Sequence, residues 1–203
     1  MGSMICAYQL KKGIKDFAEH DGIMSVQPGK SLWIFPLEDH PNTALFTYRC
    51  EDPDNQFKKK PSEILKELYA DMPNQEIVKQ ALEDLEQSKD FLFDSVNTVN
   101  MDKWSKGRVV LVGDAAWCLT LYSGMGAGTA IDGSYELAEA ISAHEDINLA
   151  LAKWEKKMRP LIKKHRLLVP LKSQVFCPSN PTASLLRRLV LRICARQIVK
   201  INS

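Results

Sequence analysis

The residues of this chain best suited to holding a ligand lie between positions 109 and 141. Gly113 and Asp114 stand at the end of the apolar run Val109, Val110, Leu111 and Val112, and a glycine cluster, Gly124, Gly126 and Gly128, follows after a short loop. Glycines let a ligand come against the backbone, and the first N–H groups of a helix have no partner inside it. The helix N-terminus also carries partial positive charge, which favours an anion or an electron-rich carbonyl. A carboxylate at a strand end can accept hydrogen bonds from ribose-like or ribityl hydroxyls. Strand, carboxylate and glycine-rich helix entry together describe a place for a polyhydroxylated, phosphorylated cofactor. Taken singly, the same glycines also fit a tight turn with close helix packing, and Asp114 fits a simple cap.

Such a site needs elements to hold it. Val109–Val112 predicts a short buried strand wanting neighbours on both faces, which would join a parallel sheet. A helix follows, with Ile131, Tyr135, Leu137, Ala138 and Ile141 as its apolar pattern. Upstream, Ile23–Val26 and Ser31–Phe35 flank the turn Gln27-Pro28-Gly29-Lys30 as a hairpin, and Thr43–Tyr48 predicts a third strand. Phe35 and Phe46 read as sheet core, or as the lining of a substrate cavity. A helix starts at Pro61 with Ser62 as cap, a second runs from Asn74 to about Gln87, and Phe91–Val99 returns as a strand. The N-terminal MGSMICAYQLKKGIKDF reads as a helix-like amphipathic run. Residues 147–169 predict a long basic helix interrupted at Pro160, broken after Cys177 by Pro178 and Pro181. Residues 183–201 then predict a second basic helix, with Leu185, Leu189, Ile193 and Ile201 on one side and Arg188, Arg192, Arg196 and Lys200 on another. The apolar side is expected to pack on its own domain or a second subunit, a membrane surface being the alternative.

The whole string KWSKGRVVLVGDAAWCLTLYSGMGAGTAIDGSYELA resembles the "GD" motif region of FAD-dependent monooxygenases of the aromatic-hydroxylase type. There a strand, Gly-Asp-Ala-Ala, a loop, Gly-x-Gly and a helix follow in this order. The resemblance extends upstream through FLFDSVNTVNMDKWSKGR and downstream to WEKKMRP at 154–160, and more weakly to GKSLWIFPLED. It implies a mixed α/β fold: an antiparallel substrate-domain sheet, the C-terminal part of an FAD-binding Rossmann-like domain, and a helical C-terminal third. The expected divisions are 1–100, 101–145 and 146–203. It implies FAD as cofactor and NAD(P)H as reductant, with one oxygen atom of dioxygen passing to a small organic substrate. Asp114 would bond the ribityl chain near the pyrophosphate. Gly124, Met125, Gly126, Ala127 and Gly128 would line the isoalloxazine, and Gly113 and Leu121 are counted with them as cofactor-binding. No catalytic residue is assigned. Three positions depart from the family pattern: Trp117 where histidine is common, Leu121 in place of a loop proline, and Gly128 where asparagine is frequent. The N-terminal Gly-x-Gly-x-x-Gly fingerprint of the family is not found in this sequence, and Met-Gly-Ser looks like an expression scar. Three readings follow. One is the substrate-side and GD-motif portion of a flavin monooxygenase; a second is a non-catalytic piece that needs a separate dinucleotide-binding half. A related reductase or halogenase stays open.

Composition sets the outer limits. With 27 basic and 25 acidic residues in 203, net charge +2 gives no global field for nucleic acid or membrane. No apolar run reaches membrane-spanning length, so a membrane partner is not expected. Partners are expected to be a small organic substrate and either a second copy or a separately supplied N-terminal half. Five scattered cysteines without zinc-like spacing suggest a reduced, cytoplasmic protein. His20, His40, His144 and His165 sit in polar segments, and no metal site is expected. Ser123 lacks the context of an activated nucleophile. Glu51 and Asp52 read as solubilising charge in a turn. Lys156, Lys157, Arg159, Lys163, Lys164, His165 and Arg166 read as a solvated helix face, or as an attraction for NAD(P)H phosphate.

Overall fold

A computed structural model describes residues 2–15, 17 and 21–201, with the backbone alone for 194–201. His20 and the side chains of Cys194, Arg196, Lys200 and Ile201 therefore lie outside the described parts. The chain forms two compact units: Gly2–Ser95 together with the chain from Gln174 on, and Val96–Ser173.

The first unit is built on a five-stranded antiparallel sheet. Its strands are β1 (Ser3–Gln9), β2 (Ile23–Gln27), β3 (Lys30–Leu37), β4 (His40–Arg49) and β5 (Leu92–Ser95), in spatial order β2-β3-β4-β1-β5. The N-terminal run is thus a strand, correcting the helical reading. Met4, Cys6, Tyr8 and Leu10 alternate into the core with the period of a strand, and paired between β4 and β5 this segment gains ladders on both sides. The register sets Met4 against Tyr48, Cys6 against Phe46 and Tyr8 against Ala44, so every second residue meets its counterpart on one face. The expected hairpin forms with Gln27 opposite Lys30 and Gly29 at φ +83° in the turn. Short helix α1 (Pro53–Gln56) follows, then α2 (Pro61–Leu68) and α3 (Gln75–Gln87). Lys60, not Ser62, occupies the cap of α2, because Pro61 takes the first helical position, where its missing N–H costs nothing. Ile64, Leu65, Ile77, Val78, Ala81 and Leu85 from these helices join Phe46, Tyr8 and Leu32 in one core. Phe46 is fully buried there, whereas Phe35 is half-buried and stacks on Trp33 at 5.8 Å. Strand β5 is shorter than the expected Phe91–Val99 strand.

The second unit contains the hairpin β6 (Ser105–Lys106) and β7 (Val109–Val110), the short helix α4 (Asp114–Trp117), a 3-10 turn at Leu121–Ser123, and helix α5 (Gly126–Ser142). Helix α6 (Ile147–Phe176) counts with this unit through Ser173 and carries Pro160 and Pro170 inside it, longer than the expected 147–169. The final helix, α7 (Pro181–Ile201), belongs with the sheet unit. Val109–Val112 corrects another expectation: only Val109 and Val110 are strand, paired antiparallel with β6, and Val109 is exposed. The parallel neighbours that such an apolar run calls for are absent among the described residues. No helix among the described residues is long and apolar enough to cross a membrane.

Candidate cofactor site

The loop between β7 and α5 is shaped first by Gly113. Its backbone lies at φ +64° and ψ −137°, and an added Cβ would meet Ala130 Cβ at 3.1 Å, so conformation and packing both demand glycine. Its carbonyl accepts the N–H groups of Ala116 and Trp117 at 3.0 and 2.9 Å, which starts α4. Asp114 opens that helix and is exposed, and its Oδ1 lies 3.9 Å from where a Cβ on Gly126 would stand. The carboxylate and the first residue of α5 are therefore neighbours.

The return of the chain is strained. Thr120 holds φ +71° and ψ 159°, a region that costs a non-glycine residue about 1–3 kcal/mol. Its hydroxyl is buried with no hydrogen-bond partner among the described residues. The turn at Leu121–Ser123 is braced from behind: Ser123 Oγ donates to the Thr120 carbonyl and accepts the Met125 N–H, each at 3.0 Å. Lys172 Nζ donates to the Ser123 carbonyl at 2.6 Å. Gly124 follows at φ +64°, and nothing lies within 4 Å of a Cβ added there. At Gly128 the nearest atom is Met125 Cε at 3.9 Å. Met125 caps α5 without a side-chain hydrogen bond, and no acidic residue stands in the first turn. Leu121 and Ala127 are exposed, Met125 and Gly126 half-buried. The structure thus gathers Asp114 and the start of α5 around open glycine backbone and N–H groups with no helical acceptor.

Beneath this surface lies an indole cluster. Trp117 is fully buried, its ring centroid 4.6 Å from that of Trp104 and 6.1 Å from that of Trp154, and its Nε1 donates to Thr129 Oγ1 at 3.3 Å. Gly133 lets α5 settle on that ring, since a Cβ there would fall 2.7 Å from Trp117 Cη2, and Trp154 Nε1 donates to the Gly133 carbonyl at 2.8 Å. The helix's buried face is therefore Thr129 and Gly133 with Leu137 and Ala140, while Ile131, Tyr135 and Ile141 are exposed. That reverses the sequence assignment for those three. Gly133 was not singled out from sequence; the available signal was a glycine inside a helix, which needs a packing reason to offset its cost. Arg159 lies over the Trp104 ring at 4.6 Å and pairs with Glu155, whose Oε2 accepts the Trp104 N–H at 3.2 Å. Arg166 donates to the Val99 carbonyl and Asn100 Oδ1. Arg159 and Arg166 of the basic stretch are thus structural and Lys157 pairs with Glu136, whereas Lys156, Lys163 and Lys164 are exposed.

The family model of the FAD binding domain matches residues 2–150. The chain belongs to the FAD binding domain family. Among curated proteins it is 39% identical over 122 residues to the FAD-dependent monooxygenase asL6 of Sarocladium schorii, covering 59% of this chain and 29% of that protein. It is 39% identical over 72 residues to the 2-heptyl-3-hydroxy-4(1H)-quinolone synthase of Mycobacteroides abscessus, covering 36% of this chain and 19% of that one. Among solved structures it resembles the tetracycline destructase Tet(55), with a TM-score of 0.76 at 23% identity over 95% of this chain and 52% of the other. It also resembles Klebsiella pneumoniae HpxO complexed with FAD and uric acid, with a TM-score of 0.70 at 16% identity over 94% and 49%. The chain spans about half of these structures and under a third of these curated relatives. Membership of the FAD binding domain family, and likeness to a protein named FAD-dependent monooxygenase, agree with the resemblance carried by the GD string.

The residues present fit such a cofactor. An orphaned buried hydroxyl at Thr120, a carboxylate free for hydroxyl groups, and glycines with open space beside them are the donors, acceptors and clearance that a flavin dinucleotide needs.

Proposed function

We propose that this chain supplies the flavin-side half of an FAD-dependent monooxygenase acting on a small organic substrate, with NAD(P)H as reductant. The observation that carries the reading is the convergence of Asp114 and Gly126 beside the open backbone of Gly124 and Gly128. Asp114, exposed at the head of α4, would accept hydrogen bonds from the ribityl hydroxyls. The N–H groups at the start of α5 would meet the electron-rich edge of the flavin ring, where fixed dipoles would favour negative charge without reorganising. Gly113 sets the angle between strand and α4, and Leu121 and Ala127 present apolar surface beside the loop. When bound, FAD supplies the electron and oxygen chemistry. Lys172 and Ser123 hold the loop so that Gly124 stays at positive φ. The free thiols of Cys6, Cys50, Cys118 and Cys177 support a reduced, cytoplasmic setting.

Because the chain spans about half of the structures it resembles, a second reading is that turnover also draws on a dinucleotide-binding half. Titrating the purified chain with FAD, followed by flavin fluorescence and absorbance, tests the first reading. Saturable binding is expected, and Asp114→Ala should weaken it about tenfold to a hundredfold, the scale of a hydrogen bond to a charged group. A wild-type chain without saturable binding would sink the proposal that this chain alone builds the site. Equal affinity in the variant would remove Asp114 from it.

A further inference from the structure

Helix α7 leaves an apolar stripe uncovered. Leu185, Leu189 and Ile193 at every fourth position, with Leu186 and Val190 beside them, are 48–61% exposed. The opposite side is the one that holds the helix to its unit. Ser184 is buried there, and Arg187 donates to the Val175 carbonyl at 2.6 Å while lying 5.7 Å over the Trp33 ring. The stripe is therefore what this helix presents outward. Arg188 and Arg192, both exposed, flank it one turn apart.

Along the sequence, the charge toward the C-terminal end is one-sided. Residues 156–203 contain twelve lysines and arginines and not one aspartate or glutamate, so all 25 acidic residues of the chain precede them. The near-zero net charge of the whole conceals a strongly acidic body and a strongly basic C-terminal quarter.

We infer that α7 is an interfacial helix that binds the surface of anionic lipid membranes, Leu185, Leu186, Leu189, Val190 and Ile193 entering the headgroup–acyl boundary while Arg188 and Arg192 meet lipid phosphates. A stripe of aliphatics bordered by arginines suits such a surface, which takes both the apolar side chains and the cations. A second copy laid on the same stripe brings arginine rows of like charge together. A nucleic acid answers the charge and leaves five aliphatic side chains in water. The helix lies on the bilayer and does not span it; no helix among the described residues is long and apolar enough to cross.

Flotation of the full chain with vesicles tests this. Vesicles of phosphatidylcholine with phosphatidylglycerol should carry the protein, pure phosphatidylcholine should not, and salt should weaken the binding. Arg188→Gln with Arg192→Gln should weaken it about twenty-five-fold, at about fivefold for each arginine near an anionic surface. Leu186→Asp with Val190→Asp should abolish it at unchanged circular dichroism. Should either pair fail to fold, hydrogen exchange on the wild-type chain serves: residues 185–193 should be protected by anionic vesicles alone. Three results would each overturn the inference: no flotation with anionic vesicles, equal flotation with neutral ones, or a dimer that Leu186→Asp with Val190→Asp dissociates and vesicles do not compete with. Heparin binding that survives the aspartate pair, without vesicle binding, would point to a polyanion instead and overturn it as well.

Discussion

Replacing Gly133 with alanine places a methyl group 2.7 and 2.9 Å from Cη2 and Cζ2 of Trp117 and 3.4 Å from Met158 Cε. The Trp117 ring is fully buried against Trp104 and Trp154, so it cannot swing aside as a flexible chain end would. Overpacking of this kind costs about 1–3 kcal/mol. Any outward shift of α5 that eases the clash also lengthens the 2.8 Å bond from Trp154 Nε1 to the Gly133 carbonyl, a further loss of about 1 kcal/mol. Alanine's better helix propensity returns about 1 kcal/mol, leaving a net destabilisation of about 1–3 kcal/mol. For a chain of this size that is a Tm lowered by about 2–12 °C. Differential scanning calorimetry, with indole fluorescence reporting on the cluster, is the assay. Gly128→Ala is the matched control: it sits in the same helix, with only Met125 Cε at 3.9 Å from the new methyl. The control should melt at or above the wild type, and under the proposed function it should bind FAD more weakly. A Gly133→Ala chain melting as high as the wild type would refute the packing argument.

Other consequences are equally open to measurement. Tyr69 is fully buried with its hydroxyl 3.0 Å from the Ser31 carbonyl and 2.8 Å from that of Thr47; Tyr69→Phe should cost about 1–2 kcal/mol in urea denaturation. Arg159→Lys keeps the charge and loses the planar fork over Trp104, so a loss of about 1 kcal/mol is expected, and an unchanged denaturation midpoint would count against the stacking. Burial pushes the Cys6 thiol up to about 12 and that of Cys177 to about 11. Both should resist a disulfide reagent at about pH 8 in the folded chain and react once it is unfolded. Because these folded values lie above the ordinary thiol value of 9.0, the stability they lend is complete below that pH and fades as pH rises through 11 and 12. Denaturation midpoints should accordingly hold up to about pH 9 and fall beyond it.

Local order along the chain determined a good deal. The hairpin at Gly29 needs only a turn residue that accepts positive φ between two β-rich runs, and both signals are written in consecutive residues. Helix α3 shows its stripe of Ile77, Val78, Ala81 and Leu85 because the period of a surface helix is visible within one segment. The GD string was legible for a similar reason: strand, carboxylate, loop and glycines follow in a fixed order over a short stretch. What needed the tertiary structure were choices made by neighbours distant in sequence. The run from Ser3 to Gln9 suits a helix or a strand until β4 and β5 offer it ladders on both sides. Ile131 and Tyr135 look like the buried side of α5 until Trp117 and Trp154 claim the opposite side through Gly133. Trp117, which in sequence is a departure from the GD pattern, is in space a fully buried ring packed on Trp104 and Trp154. Side-chain period reveals that a helix has an apolar face, and only packing decides which of two apolar faces is covered.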